Sequence, residues 1–315
     1  MRYDTIWLLI PMLLCWQTAK GKSLNVVATT PDIAWLASEI LKEDGSVTTL
    51  LGGHEDAHAV DAVPSYILAA AKADVFCFVG MSLEIGWVPK VIEKTANRKI
   101  QPGSDGYCDM GKVIEALDVP KGPINRSMGD VHPEGNPHYY ASLPQMLKVA
   151  EAMAAQLMAL VDSKTLPRLE SNLNELQNSI RNTHTKLKAK LEDHFGKELP
   201  TIAQYHGNFT YFANSYGFKM FGNIEETPGV APSAGAIARG ALSARKKKVA
   251  VVLAVPHNPR SLIEKFAQIA KIPAIIHSDM AQPSRDSIKN PLLVQQSLVD
   301  KIIESVPRKT RPASP

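Results

Sequence analysis

The chain has 315 residues, of which 45% are hydrophobic and 21% charged, with a formal net charge of +4. That length accommodates two ordinary cores, and the composition excludes a mainly disordered chain. The only short basic run, Arg245 to Lys248, has no aromatic residues interleaved, which argues against a nucleic-acid partner.

The N-terminus stands apart from the rest. Ile6 to Trp16 is almost wholly apolar, preceded by Arg2 and followed by the mostly polar Gln17 to Ser23, the pattern of a secretory signal. Ala19 and Gly21 lie three and one positions before a cut at Lys22, so a signal peptide is predicted over 1–21. Cys15 is the alternative, a lipid-anchoring site, although Leu14 is bulky where a small residue is usual. No later segment is apolar for the roughly 20 residues of a membrane span. Of the remaining cysteines, Cys77 reads as a small core residue. Its pairing with Cys108 after export is left open by the sequence.

The predicted elements then alternate. Leu24 to Ala28 is a strand. Pro31 to Leu41 is a helix with Thr30 as N-cap and proline at its first position. Val47 to Leu51 is a strand closed by Gly52-Gly53, Ser65 to Ala71 a helix, and Asp74 to Val79 a third strand. Residues 103–137, rich in Gly, Pro and Asp, read as loop. Gln145 to Val161 is a helix. Leu169, Leu173, Leu176, Ile180, Leu187 and Leu191 then form an apolar stripe on a helix ending near Phe195. At 1.5 Å per residue it extends about 40 Å, longer than one small domain needs. Strands at Thr201 to Tyr205, Val249 to Ala254 and Ala274 to His277 follow. They alternate with helices at Phe209 to Tyr216, Ser233 to Arg245, Leu262 to Ala270 and Leu292 to Ser305. This pattern predicts an α/β protein: two similar parallel-sheet lobes joined by one long rigid connector helix. The expected division is an N-terminal lobe over 22–165, the connector over 166–195, a C-terminal lobe over 196–308 and a tail over 309–315.

Histidine is the informative residue type. His58 follows the second strand, His138 precedes a helix, His206 directly follows a strand, and Asp279 lies two residues beyond another. Ligands of open α/β sheets bind at the carboxyl ends of strands, so these four could meet across an interlobe cleft. Three imidazoles and a carboxylate make a tetrahedral shell for Zn(II). Imidazoles also suit Cu and Ni, and the carboxylate raises tolerance for Mn. His54-Glu55-Asp56-Ala57-His58 also matches the zinc-protease pattern H-E-x-x-H. That chemistry needs both imidazoles on one helix face. Gly52-Gly53 before the motif and Pro64 after it leave room for barely two turns, so a loop is expected, with a metallohydrolase as the alternative. His132 is expected to be a solvated loop residue, with a transfer or accessory ligand as its alternative, and His184 to be packed on the connector.

Several segments resemble the cluster A-I solute-binding proteins, which deliver Zn or Mn to ABC permeases. Asp56-Ala57-His58 with Pro64-Ser65 is similar to the first ligand loop of that family, and Leu83-Glu84 with Trp87 to the segment after it. Gly129-Asp130-Val131-His132-Pro133-Glu134-Gly135-Asn136-Pro137-His138-Tyr139 resembles the second ligand loop. Tyr205-His206 resembles the third, and Glu225, Pro228-Gly229 and Pro232-Ser233 the turn beyond it. The resemblance covers about Leu24 to Ile303. It implies His58, His138 and His206 as ligands, with Asp279 as the fourth and water or Glu225 as its alternatives. It further implies a non-enzymatic, extracytoplasmic Zn(II) carrier, Mn(II) being the lesser candidate because His206 replaces an oxygen donor. The implied partners are a cognate ABC permease with its ATPase and a periplasmic metallochaperone, the carrier itself being a monomer. An adhesin-type member of the same fold is a further reading.

Overall fold

The computed structural model describes residues 23–125 and 128–308. The predicted signal peptide, Cys15 and the tail over 309–315 lie outside the described residues. Two four-stranded parallel sheets form the frame, in the orders β2-β1-β3-β4 and β6-β5-β7-β8. The first contains β1 (Leu24–Ala28), β2 (Gly45–Thr49), β3 (Val75–Phe78) and β4 (Tyr107–Asp109). The second contains β5 (Thr201–Gln204), β6 (Lys219–Asn223), β7 (Val251–Ala254) and β8 (Ala274–Ile276). Both orders change direction beside their first strand, so each sheet has a switch point at its carboxyl edge where a ligand can sit.

The central strands are the ones the sequence announces. All four residues of β3 and of β7 are buried, as a strand covered on both faces requires. The sheet edges differ from expectation. β4 lies inside the stretch predicted as loop, and β6 and the helix α3 (Val88–Lys94) were not anticipated. β4 buries only Cys108, and β6 buries none of its five residues, so neither writes an apolar pattern into the sequence. Cys77 and Cys108 are register partners on β3 and β4, with Cα atoms 4.3 Å apart, and they form a disulfide. The bond ties an edge strand that has little burial of its own to the centre of its sheet.

Around the first sheet lie α1 (Pro31–Leu41), α2 (Pro64–Ala71), α3 and α4 (Leu143–Met158). Thr30 occupies the N-cap position of α1, but its hydroxyl makes no cap bond and is buried without a partner, so Pro31 alone marks that start. The connector is α5, Leu166–Phe195, 30 residues long and therefore about 45 Å. Its Leu169, Leu176 and Ile180 belong to the first lobe's core, and Leu187, Leu191 and Phe195 to the second lobe's. Each such side chain, fully buried, contributes about 1.5–3 kcal/mol. Two buried polar residues interrupt the stripe and are satisfied: Asn172 Nδ2 donates to the Ile40 carbonyl, and Gln177 Nε2 to Glu151. α6 (Thr210–Tyr216), α7 (Ala234–Lys246), α8 (Arg260–Ala270) and α9 (Pro291–Ser305) complete the second lobe.

The lobes also touch directly. Asp32, in the first turn of α1, accepts a hydrogen bond from the Ala281 amide at 3.1 Å. The Gly53 carbonyl accepts one from Gln282 Nε2 at 3.0 Å. Gly53 has φ +85°, and a Cβ there would stand 1.9 Å from the Ala281 carbonyl oxygen, so only glycine permits this approach. The loop leading to His58 is thereby pressed against the loop that follows β8.

Candidate metal centre

Two histidine-bearing loops of the first lobe use the same local device. Asp56 Oδ1 accepts from the backbone amide of His58 at 3.0 Å and meets its Nδ1 at 2.8 Å. Asn136 Oδ1 makes the same pair of contacts with the amide and Nδ1 of His138, both at 2.9 Å. A short polar side chain two residues before the histidine thus fixes backbone and ring together. The first loop is further anchored by Trp87, whose indole donates to the Ala57 carbonyl at 3.0 Å. Asn136 reaches across the cleft as well, donating through Nδ2 to the Gly207 carbonyl at 2.9 Å.

The second lobe does it differently. His206 lies two residues past the end of β5, and its Nδ1 meets Glu225 Oε2 at 2.8 Å. Glu225 comes from the segment after β6, and its amide donates to the Tyr205 carbonyl, which extends the β5–β6 pairing to the site. In all three cases the partner oxygen is an acceptor only, so Nδ1 carries the proton and Nε2 is left bare in the neutral ring. This is the tautomer that binds a cation through Nε2.

The three imidazoles converge. One ligand atom from each of His58, His138 and His206 lies within 4.8 Å of the others. The ring centroids are 5.2, 5.6 and 5.2 Å apart. His138 is 1% exposed, and its Nε2 is buried with no hydrogen-bond partner, which is costly unless something occupies it. Burial, followed by the neighbouring His206 and His58, holds the His138 pKa well below the ordinary value, so the ring stays neutral. Three imidazole nitrogens brought this close suit a divalent transition-metal cation.

Asp279 is not part of this close group. Its Oδ2 accepts from Asn208 Nδ2 at 2.7 Å and from the Tyr140 hydroxyl at 3.2 Å. Burial raises its pKa, and the Asn208 bond offsets part of that rise. Glu225, the alternative fourth ligand, is engaged with His206 and the Gly229 amide as an orienting group. The H-E-x-x-H match does not form a helix: residues 53–59 are bends and turns, and Glu55 folds back onto the amides of Gly52 and His54. His184 packs on the Tyr216 ring, with centroids 4.8 Å apart, as expected of a connector residue.

His132 departs from the sequence expectation. It is half-buried, and its Nε2 lies 3.1 Å from His58 Nε2. Burial, then the charges of His58 and His206, push its pKa down to about 4. Beside it, a cavity of about 350 Å³ opens onto His138 and His206 and is rimmed by Asp118 and Asp130. Sequence reasoning also missed the orienting roles of Asp56, Asn136 and Glu225. For the first two the signal was present, in the repeated Asx-x-His spacing.

The chain matches the family described as "ZnuA: Zinc-uptake complex component A periplasmic" over residues 26–304. Among curated relatives, the manganese ABC transporter substrate-binding lipoprotein PsaA of Streptococcus pneumoniae is 27% identical over 209 residues, covering 64% of this chain and 62% of that protein. The iron ABC transporter substrate-binding lipoprotein MtsA of Streptococcus pyogenes is 26% identical over 207 residues, with shares of 64% and 62%. The match to these relatives thus spans less than two thirds of their own length. In structure, a crystal structure of ZnuA superimposes with a TM-score of 0.73 at 18% identity, covering 90% of this chain and 99% of that one. A Cd-bound periplasmic metal-binding protein from Candidatus Liberibacter asiaticus gives 0.70 at 20% identity, with shares of 90% and 99%. The two-lobed fold is therefore shared with these structures. With the family match running through both lobes and all three clustered histidines, the chain belongs to the ZnuA family of periplasmic metal-uptake components, a family of binding proteins rather than enzymes.

Proposed function

We propose that this protein captures Zn(II) outside the cytoplasmic membrane and delivers it to an ABC permease. The observation that carries the reading is the convergence of His58, His138 and His206, each with Nδ1 committed to a fixed oxygen. Three nitrogen donors favour Zn(II) over Mn(II), which prefers more oxygen. Asp279, a buried carboxylate on the second lobe, is assigned the fourth position when the cation is bound. The Cys77–Cys108 disulfide supports an oxidising compartment outside the cytoplasm. No helix among the described residues is long and apolar enough to cross a membrane.

Cation binding requires all three rings to be unprotonated, so acidification opposes it. The chemistry ends at capture, because a four-ligand shell leaves no position for a reacting water. The test is calorimetric titration of the chelator-stripped chain with Zn(II) and, in parallel, Mn(II). One tight Zn(II) site, lost when His58, His138 and His206 are changed to alanine, is expected. A tight site surviving in the triple variant would overturn the reading. Preference for Mn(II) over Zn(II) would overturn the metal assignment alone.

A further inference from the structure

A second cavity, of about 710 Å³, opens in the first lobe and shares no lining residue with the one beside the histidine trio. It lies where β3 and β4 end, on the carboxyl edge of the sheet, the side on which open α/β folds hold their ligands. Its size is that of a small-molecule pocket. Phe78 at the end of β3 and Tyr107 on β4 form an aromatic wall, with ring centroids 5.1 Å apart. Ile85, Val88 and Ile92, from the turn after β3 and from α3, complete the apolar lining. Ile85 is 67% exposed, a large apolar side chain left mostly in water, so a ligand that covers it gains by apolar burial.

The charge of the lining is one-sided. Glu84, Glu93, Asp109 and Glu134 line the cavity against a single Arg98. Among the described residues, no lysine or arginine forms a salt bridge with any of the four carboxylates. Asp109 is the best placed of them. Its Oδ1 accepts from the Gly111 amide at 3.2 Å, and no other hydrogen bond reaches its carboxylate among the described residues. Gly80, with φ +79°, lets that carboxylate lie so close that a Cβ there would stand 2.1 Å from Oδ1. Burial raises the pKa of Asp109 and the nearby charge of Glu134 adds to the rise, while Lys112 opposes it. Two neighbouring carboxylates beside an aromatic wall make a setting that an organic ammonium satisfies. The Lys112 ammonium already stands 5.6 Å over the Tyr107 ring, so that ring offers its face to a cation.

We propose that this cavity is a second ligand site, taking a small organic cation: an ammonium group on an apolar, aromatic body. The ammonium is held by Asp109 and Glu134, and the body lies along Phe78, Tyr107 and Ile85. An organic anion would meet four carboxylates, and a bare metal ion would leave the apolar wall uncovered. Lys112 limits the affinity, because the arriving ammonium comes to rest near a charge of its own sign. The assignment stands apart from the histidine trio and from the metal it takes.

The test uses phenethylamine as the probe, with phenethyl alcohol and hydrocinnamate as its neutral and anionic counterparts. Each is titrated into the full mature chain, stripped of metal and isotope-labelled at its isoleucine methyl groups, and followed by NMR. The amine is expected to shift the methyl signals of Ile85 and Ile92 saturably, and both counterparts to bind at least about tenfold more weakly. Asp109→Asn should weaken the amine about tenfold. Glu134→Gln, at an exposed position where folding is not at stake, should weaken it about two- to fivefold. Lys112→Gln should tighten it about twofold. Equal binding of the alcohol or of hydrocinnamate would overturn the proposal. So would unshifted signals at both isoleucines, an amine affinity indifferent to both carboxylate changes, or weaker amine binding in Lys112→Gln.

Discussion

The two lobes orient their imidazoles by different means. In the first, Asp56 and Asn136 each hook a histidine two residues away, so ring and backbone move as one unit. In the second, His206 depends on Glu225, 19 residues distant and carried by another strand's loop. A local hook survives movement of the rest of the lobe, whereas a distant partner makes the ligand sensitive to the packing of β5 against β6. The first lobe thus presents two preset imidazoles, and the second presents one whose aim depends on tertiary structure.

The largest expected effect comes from removing a donor outright. His138→Ala should weaken Zn(II) binding by well over the hundredfold that marks the upper range for outer orienting groups, as read by competition with a chelator of known affinity. Next is the disulfide. Cys77→Ala with Cys108→Ala should cost about 2–4 kcal/mol in denaturant unfolding while Zn(II) affinity holds, because β4 supplies no donor. Glu225→Ala should weaken binding about 10- to 100-fold, since it frees the His206 ring. Asp56→Asn should do least, below about tenfold, because it merely turns the first hook into the second. If Asp56→Asn weakened binding as much as Glu225→Ala, the distinction between local and distant support would fail.

A buried carboxyl of the first lobe can be read by pH. Glu84 accepts from Thr29 Oγ1 and from the amides of Val79 and Gly80, joining the ends of β1 and β3. Burial nonetheless raises its pKa from 4.5 to about 7. Between those values the folded chain keeps a proton that the unfolded chain has released, so stability falls as pH rises through the window. The expected slope is about 1.4 kcal/mol per pH unit from this group. Glu84→Gln should make the profile measured by urea unfolding between pH 5 and pH 7 shallower by that share, Asp32, which burial raises to about 8, keeping a slope of the same sign.

The fold was legible where burial is strong. α1 was read with its observed limits from Pro31 and its apolar face, and α5 to within a residue or two from its leucine stripe. β4, β6 and α3 were not, because edge strands and short helices bury too little to impose a period. At the site, His58, His138 and His206 stood out mainly through the resemblance of their loops to those of a known family, since position alone put His58 and His206 after strands and His138 before a helix. His132 stood out only as a neighbour of the second loop, because its approach to His58 joins residues 74 apart in the chain and no local pattern records it. The neighbours of Asp279, Asn208 and Tyr140, are 71 and 139 residues away in sequence, so no local pattern records them either.

The helix α5 has its two ends set in different cores. A beam embedded at both ends resists bending but passes torque along its axis. Prising the lobes apart like jaws would have to bend this helix or uproot one end from its core. A twist about its axis would be felt first where Gly53 meets Ala281, at the foot of the His58 loop.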